Sequence, residues 1–311
     1  MKKSVLTILV LVTILAGCRE GVGERKGPLH IVATTGIIED GLKNIVGDSA
    51  EVSALMGPGT DPHLYKPTPF DMELLDEADV IVCNGLHLEG KMSEMLQKYG
   101  QRKPVIEVSS GIEKSRLIKA VEGSDAFDPH IWFNPGIWSD GLAHVTKELG
   151  EVEPNSAAYF QDNFEGYRKE LAALESWVDT QLQTLDDSVK VLITSHDAFS
   201  YFGQRFDIEV RGIQGISTLS EVGLKDIADM VDFVIERQIP AIFVETSTSD
   251  KTAQSIVDGT YRRGFDLKLN GPLYSDALGE PDSPAGTYVG MVKENVRMIV
   301  EGLQENSMDH E

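Results

Sequence analysis

Short apolar runs alternate along most of this chain with stretches whose apolar residues recur every three or four positions. Leu29–Ala33, Val52–Leu55, Asp79–Cys83 and Val105–Val108 read as strands, and Gly36–Val46, Phe70–Asp76 and Glu89–Tyr99 as helices between them. A second series follows. Val189–Thr194, Glu209–Ile213, Ala241–Glu245 and Leu267–Leu269 read as strands, separated by helical stretches Ala198–Arg205, Glu221–Gln238, Lys251–Arg263 and Gly286–Leu303. Strands that alternate with helices predict parallel sheets built from βα units.

Between the two series the pattern changes. Phe160, Phe164, Tyr167, Leu171, Leu174, Val178, Leu182 and Leu185 are spaced three or four apart and form one apolar stripe. Pro154 and Asn155 suit a helix start, and only Gly166 interrupts good helix formers. A helix over about 155–186 would be a rod roughly 45–50 Å long at ~1.5 Å per residue. The expected fold class is therefore α/β, with two parallel-sheet lobes at 28–153 and 188–305 joined by one long rigid helix at 154–187. A polar tail closes the chain at 306–311. The other arrangement that fits is one large α/β domain with a long surface helix.

The first eighteen residues read differently. Lys2 and Lys3 precede an apolar run from Val5 to Leu15. That run is too short to cross ~30 Å of hydrocarbon as a helix but suits the core of a signal peptide. Leu15-Ala16-Gly17-Cys18 resembles the bacterial lipobox, in which the cysteine becomes the first residue of the mature protein and carries the lipid. Residues 1–17 are thus expected to be a lipoprotein signal peptide, Cys18 the lipidation site, and the glycine-rich polar stretch 18–27 a flexible tether. The plain alternative is a buried helix with an incidental cysteine. No later segment holds 18 consecutive apolar residues.

Charge narrows the partners. Against 28 Lys and Arg stand 50 Asp and Glu, a formal net charge of -22. Such a surface repels a phosphate backbone, so nucleic acid is excluded as a partner, and it favours cations. The only cysteines are Cys18 and Cys83, which excludes a disulfide framework and a cysteine-based zinc site.

The chemistry lies in the histidines. His30, His144 and His310 read as surface or packing residues, and His87 as a weak site candidate in the loop Asn84–Glu89. Three others keep unusual company. The tripeptide Asp-Pro-His occurs twice, ending at His63 and at His130. Proline stiffens the approach to each imidazole. His196 directly follows the strand Val189–Thr194, where open α/β sheets place ligands. The loop Gly271–Gly279, which contains Asp276, has the same placement. Three imidazoles and one carboxylate at strand ends would enclose a divalent transition metal, zinc or manganese.

Several segments together resemble one family. DPHLYKPTP (61–69), DPHIWFNP (128–135), SHDAFSYF (195–202), GIQGISTLSE (212–221), SDALG (275–279) and GTYVGM (286–291) are similar to the TroA-like metal-binding lipoproteins. These are the solute-binding subunits of bacterial ABC importers for zinc and manganese (bacterial solute-binding protein family 9). The resemblance runs from about His30 to Leu303. It implies metal held between two helix-joined α/β lobes, with His63 and His130 as ligands from the first lobe and His196 and Asp276 from the second. It also implies Zn2+ or Mn2+ as transported ligand, an ABC permease with a cytoplasmic ATPase as partner, and a monomeric, non-enzymatic protein. The membrane is met through lipid on Cys18, facing the periplasm or cell exterior. Some manganese-binding members carry Glu at the third ligand position, where this chain has His196. The His-rich acidic loop of many zinc-specialised members is absent, since Gly111–Asp125 holds no histidine.

Around the ligands, Asp61, Asp128 and Asp197 are candidates to orient an imidazole through its second nitrogen or simply to form turns. Glu245 is an alternative or extra carboxylate, and Ser195, Asn134 and Tyr65 are weaker candidates. Rival readings are a siderophore- or corrinoid-binding protein of the same architecture, a zinc hydrolase and a surface adhesin. The chain lacks His-Glu-x-x-His, and it lacks a repeat or sticky apolar stretch that would encode adhesion.

Overall fold

Every predicted strand forms, and the eight divide into two four-stranded sheets in a computed structural model that describes residues 27–121 and 123–304. The first sheet contains β1 (Leu29–Thr35), β2 (Ala50–Met56), β3 (Val80–Cys83) and β4 (Val105–Glu107) in the order β2-β1-β3-β4. The second contains β5 (Val191–His196), β6 (Glu209–Gln214), β7 (Ala241–Glu245) and β8 (Lys268–Leu273) in the equivalent order β6-β5-β7-β8. All pairings within both are parallel. The inner strands β3 and β5 are buried along their whole length, as expected when helices cover both faces. The edge strands β2 and β6 are only partly covered.

The expected signal peptide at 1–17, Cys18, almost all of the tether and the tail at 306–311 lie outside the described residues. Among the described residues no helix is long and apolar enough to cross a membrane.

The helices start where side chains satisfy their free N–H groups. The Thr35 hydroxyl accepts from Ile38 N to open α1 (Gly36–Val46). Thr68 and Asp71 form a reciprocal cap at α2 (Pro69–Glu77), with Pro69 in the first turn. The Asn134 carboxamide oxygen accepts from Gly136 N and Ile137 N to open α4 (Pro135–Val152). Two predicted helices shift most. α3 covers Ser93–Tyr99 and does not begin at Glu89. Glu89 turns inward instead, where its carboxylate accepts from Thr34 Oγ1 at 2.6 Å and Asn84 N at 2.8 Å. The linking helix α5 covers Ala157–Leu182, and its 26 residues span about 39 Å, shorter than the predicted rod. Pro154–Ser156 form a turn before it, and the chain beyond Gln183 loosens into turns although Leu185 stays buried. The second lobe is completed by α6 (Ser200–Phe206), α7 (Leu224–Glu236), α8 (Lys251–Arg262) and α9 (Tyr288–Gln304).

The apolar stripe of α5 is covered by helices of both lobes. It packs on α1 and α4 of the first and α9 of the second. One continuous interior results, running from Ile31, Ile37 and Trp138 through Phe164 and Leu171 to Phe199, Tyr288 and Val296. Rings meet directly across the boundary, Phe133 stacking on Phe199 at 4.1 Å between centroids. Buried hydrogen bonds cross it too: Tyr288 Oη donates to Trp132 O at 2.7 Å, Trp132 Nε1 to Ser275 O at 2.9 Å, and Tyr201 Oη to Asp128 O at 3.0 Å. The stiffness that the sequence places in a helical rod therefore rests as much on a core the lobes share.

A shared interior has a thermodynamic signature. Phe164→Ala, at a side chain 1% exposed, is expected to cost about 3–5 kcal/mol. Urea unfolding followed by far-ultraviolet circular dichroism and by tryptophan fluorescence should give coincident single transitions in wild type and variant. Two separated transitions would show that the lobes unfold independently.

Candidate metal centre

Parallel strands send their C-terminal ends to one side of a sheet, and in this fold those sides of the two sheets converge. His63 lies in the loop between β2 and α2, and His130 in the approach to α4. His196 is the last residue of β5, and Asp276 follows β8. The sequence reading that His196 directly follows its strand is thus corrected: it is the last residue of β5 itself, on an inner strand, and takes its rigidity from the sheet.

The two Asp-Pro-His tripeptides fold alike. Asp61 Oδ1 accepts from His63 N at 2.8 Å, and Asp128 Oδ1 accepts from His130 N at 2.9 Å. Each aspartate closes a local turn that presents the histidine two residues on.

The four side chains meet. His63 is 3% exposed, Asp276 1%, and His130 and His196 are fully buried. One donor atom from each lies within 4.8 Å of all the others. His130 Nε2 stands 3.3 Å from His63 Nε2 and 3.4 Å from His196 Nε2. Asp276 straddles the pair, Oδ1 at 3.5 Å from His130 Nε2 and Oδ2 at 3.4 Å from His196 Nε2. A tetrahedron with bonds of about 2.0–2.1 Å has edges of about 3.3–3.4 Å. Three contacts of the cluster already have that spacing, and the fourth, His130 Nε2 to Asp276 Oδ1, is 0.1 Å longer at 3.5 Å. Asp276 Oδ1 is buried without a hydrogen-bond donor, which leaves its lone pairs facing the centre of the cluster.

Behind the donors the candidates for supporting roles separate. Asp128 Oδ1 lies 2.7 Å from His130 Nδ1, and Glu245 Oε2 contacts His196 Nδ1. Each leaves Nε2 as the ring nitrogen turned toward the cluster. Glu245 reaches His196 because Thr194 pairs with Phe243, which sets the ends of β5 and β7 side by side. Its Oε1 also accepts from His196 N at 2.9 Å, so both oxygens of Glu245 are engaged by His196. Asp61 touches no imidazole ring; it fixes the backbone of His63 and Leu64. Asp197 accepts from Ser200 Oγ at 2.8 Å, at the start of α6. Asn134 caps α4, and Tyr65 Oη is turned to Asp71 Oδ2 at 2.7 Å. Ser195 buries its hydroxyl in β5 without a partner.

Among the described residues the remaining histidines stay apart from the cluster, and His310 lies outside those residues. His87 is exposed on an open groove of 1020 Å3 in the first lobe whose lining shares no residue with the four donors. His144 faces Glu148 along α4, and His30 Nε2 meets Ser53 Oγ at 3.3 Å. Sequence reasoning missed Trp132, Tyr201 and Tyr288, which brace the donor loops across the lobes. All three fall inside motifs quoted above, but nothing local marks which side chain crosses.

Titration follows the burial. Desolvation, with His130 and His196 adding to it, lowers the His63 pKa to about 4 against the pull of Asp276. Burial disfavours the His196 cation as well, yet the Asp276 and Glu245 carboxylates at the two ring nitrogens outweigh it and raise that pKa well above the ordinary value. Burial favours neutral Asp276, but the three imidazoles hold its carboxyl well below the usual range.

Comparison with known proteins bears on this geometry. Residues 31–302 match the family described as ZnuA, zinc-uptake complex component A, periplasmic. The chain belongs to this family. Among relatives, it is 39% identical over 307 residues to the manganese-binding lipoprotein MntA of Bacillus subtilis, covering 98% of this chain and 100% of that one. It is also 39% identical over 273 residues to the zinc-binding protein TroA of Treponema pallidum, covering 88% of each. The solved structure of the periplasmic zinc-binding protein TroA from Treponema pallidum superposes with a TM-score of 0.86, covering 89% of this chain and 99% of that one at 39% identity. A Mn-bound periplasmic metal-binding protein from Candidatus Liberibacter asiaticus superposes at 0.76, with 25% identity over 88% of this chain and 99% of that one. The fold expected of the ZnuA/TroA family, two parallel-sheet α/β lobes, is the fold observed.

Metal binding needs neutral imidazole. His63 is already neutral through the physiological range, whereas His196, with its raised pKa, carries a proton that an arriving ion must displace. Zinc affinity should accordingly rise with pH through neutrality and up to the raised His196 pKa, by about tenfold per unit for one displaced proton. Competition titrations between pH 6 and 8 would check this. An affinity that is flat above pH 7 would contradict it.

Proposed function

We propose that this chain captures a divalent transition metal, Zn2+ or Mn2+, outside the cytoplasmic membrane and delivers it to an ABC-type import permease driven by a cytoplasmic ATPase. The observation that carries this reading is the set of four buried donors, His63, His130, His196 and Asp276, converging from two lobes at coordination spacing. Membership of a family of uptake-complex components supports the transport role. That MntA of Bacillus subtilis is a lipoprotein supports a membrane anchor, for which Cys18 supplies the lipidation site. In this reading 28–153 and 188–305 act as the two halves of the site around the 154–187 linker.

The donor set fits a bare ion better than any rival ligand. Nε2 atoms 3.3–3.4 Å apart leave no room for a siderophore or a corrinoid between them. A catalytic zinc keeps an open position and a base beside it, whereas Asp128 and Glu245 are engaged with the Nδ1 atoms of the ligands. With Asp276 presenting one oxygen to His130 and the other to His196, the site offers three nitrogens and up to two oxygens. That suits four-coordinate zinc or, with both oxygens bound, higher-coordinate manganese.

Isothermal titration of single variants with Zn2+ and Mn2+ tests the assignment. His63→Ala, His130→Ala, His196→Ala and Asp276→Ala should each weaken binding beyond the roughly 10–100-fold expected of Asp128→Asn and Glu245→Gln, which only orient ligands. His87→Ala and His144→Ala should bind as wild type. Wild-type affinity in two or more of the four ligand variants would sink the assignment.

A further inference from the structure

The two Asp-Pro-His turns differ in one feature. The Asp128 carboxylate turns back on the ring of its own histidine, at 2.7 Å from His130 Nδ1. That of Asp61 does not. Its Oδ2 reaches into the second lobe and accepts from Thr218 Oγ1 at 2.6 Å, 157 positions along the chain.

Thr218 lies in the loop between β6 and α7, and that loop is held from its root. Gln214, the last residue of β6, donates through Nε2 to Thr218 O at 2.8 Å and also to Ser220 O. Gln214 pairs in register with His196, and its carbonyl accepts from Asp197 N at 3.1 Å. A hydrogen-bonded path therefore runs from the strand pair that carries His196, through Gln214 and Thr218, to Asp61 and the amides of His63 and Leu64.

The other donor loops are braced by buried contacts. Asp128 O takes Tyr201 Oη beside His130, and Ser275 O takes Trp132 Nε1 beside Asp276. The loop 57–67 that carries His63 has, among the described residues, one hydrogen bond to the second lobe, and Thr218 supplies it. Both Asp61 and Thr218 are half-buried, so this bond opens without disturbing the core.

We propose that Thr218 is a positioning residue for the metal site, a latch that closes the His63 loop onto the second lobe and sets how fast the bound ion leaves. The proposal rests on the metal-binding reading above. With the latch closed, Asp61 is fixed at both oxygens and holds the backbone that carries His63. With it open, the loop loses its tie to the second lobe, and His63 is the first ligand to withdraw.

Thr218→Val removes the donor at nearly constant shape, Thr218→Ala removes it without added bulk, and Thr218→Ser keeps it. In the purified full-length protein loaded with Zn2+, release into excess EDTA should be about tenfold faster in the Val and Ala variants, the loss expected of a hydrogen bond to a carboxylate. The Ser variant should release at the wild-type rate. In the metal-free proteins, the amides of His63 and Leu64 should exchange faster with Val or Ala, and unchanged with Ser. Wild-type release rates in Val and Ala, or equal acceleration in all three variants, would overturn the latch. A wild-type protein that retains no zinc would overturn the metal-binding reading, and the latch with it.

Discussion

The structure depends on keeping three imidazoles and a carboxylate at the spacing of one coordination shell, where water does not reach. Donors buried in this way lose hydration and are costly unless something compensates them. Asp276 ionised among the histidines supplies part of the compensation, and Asp128 and Glu245 supply more from behind the rings. The remainder is a demand for a cation, visible in the orphaned Asp276 Oδ1. Because two donors come from each lobe, the lobes must hold fixed positions, and the continuous interior around α5 provides that. A flexible linker between separately packed lobes would leave the donors to separate by mutual repulsion and hydration.

Rigidity is not uniform around the cluster. His196 is fixed by β5, with Glu245 bound to both its backbone and its ring. His130 is held by Asp128, and its flanking segment is tied to the second lobe through Trp132, Tyr201 and the Phe133–Phe199 stack. His63 relies on a local turn and on the Thr218 bond. A carrier has to bind an ion firmly and still surrender it. In the proposed site, with three well-braced side chains and His63 held more lightly, both needs are met without a wide swing of the lobes, which the shared core resists.

Much of this is legible in the sequence. Strands such as Asp79–Cys83 and the α5 stripe follow from periodicity, since burial on a sheet or a helix face writes itself into residue spacing. His63 and His130 were marked by a repeated tripeptide, and His196 by its place after a strand. Asp276 was placed by its resemblance to a family motif and by its position after β8. What stayed hidden depends on contacts between distant segments. Glu245 could not be separated from a ligand until the β5–β7 register put it behind His196. The start of α3 moved because Glu89 satisfies Thr34 and Asn84, partners that only the fold brings near. The Thr218–Asp61 bond spans 157 positions and leaves no local trace.

The most direct test of the account is anomalous difference density from crystals of the zinc-loaded protein, recorded on either side of the zinc absorption edge. The account predicts a single strong peak among the four donors, about 2.0–2.2 Å from Nε2 of His63, His130 and His196 and from an Asp276 oxygen. A peak bound by residues of one lobe only, or one in the groove beside Cys83 and His87 with the four-donor cluster left vacant, would contradict it.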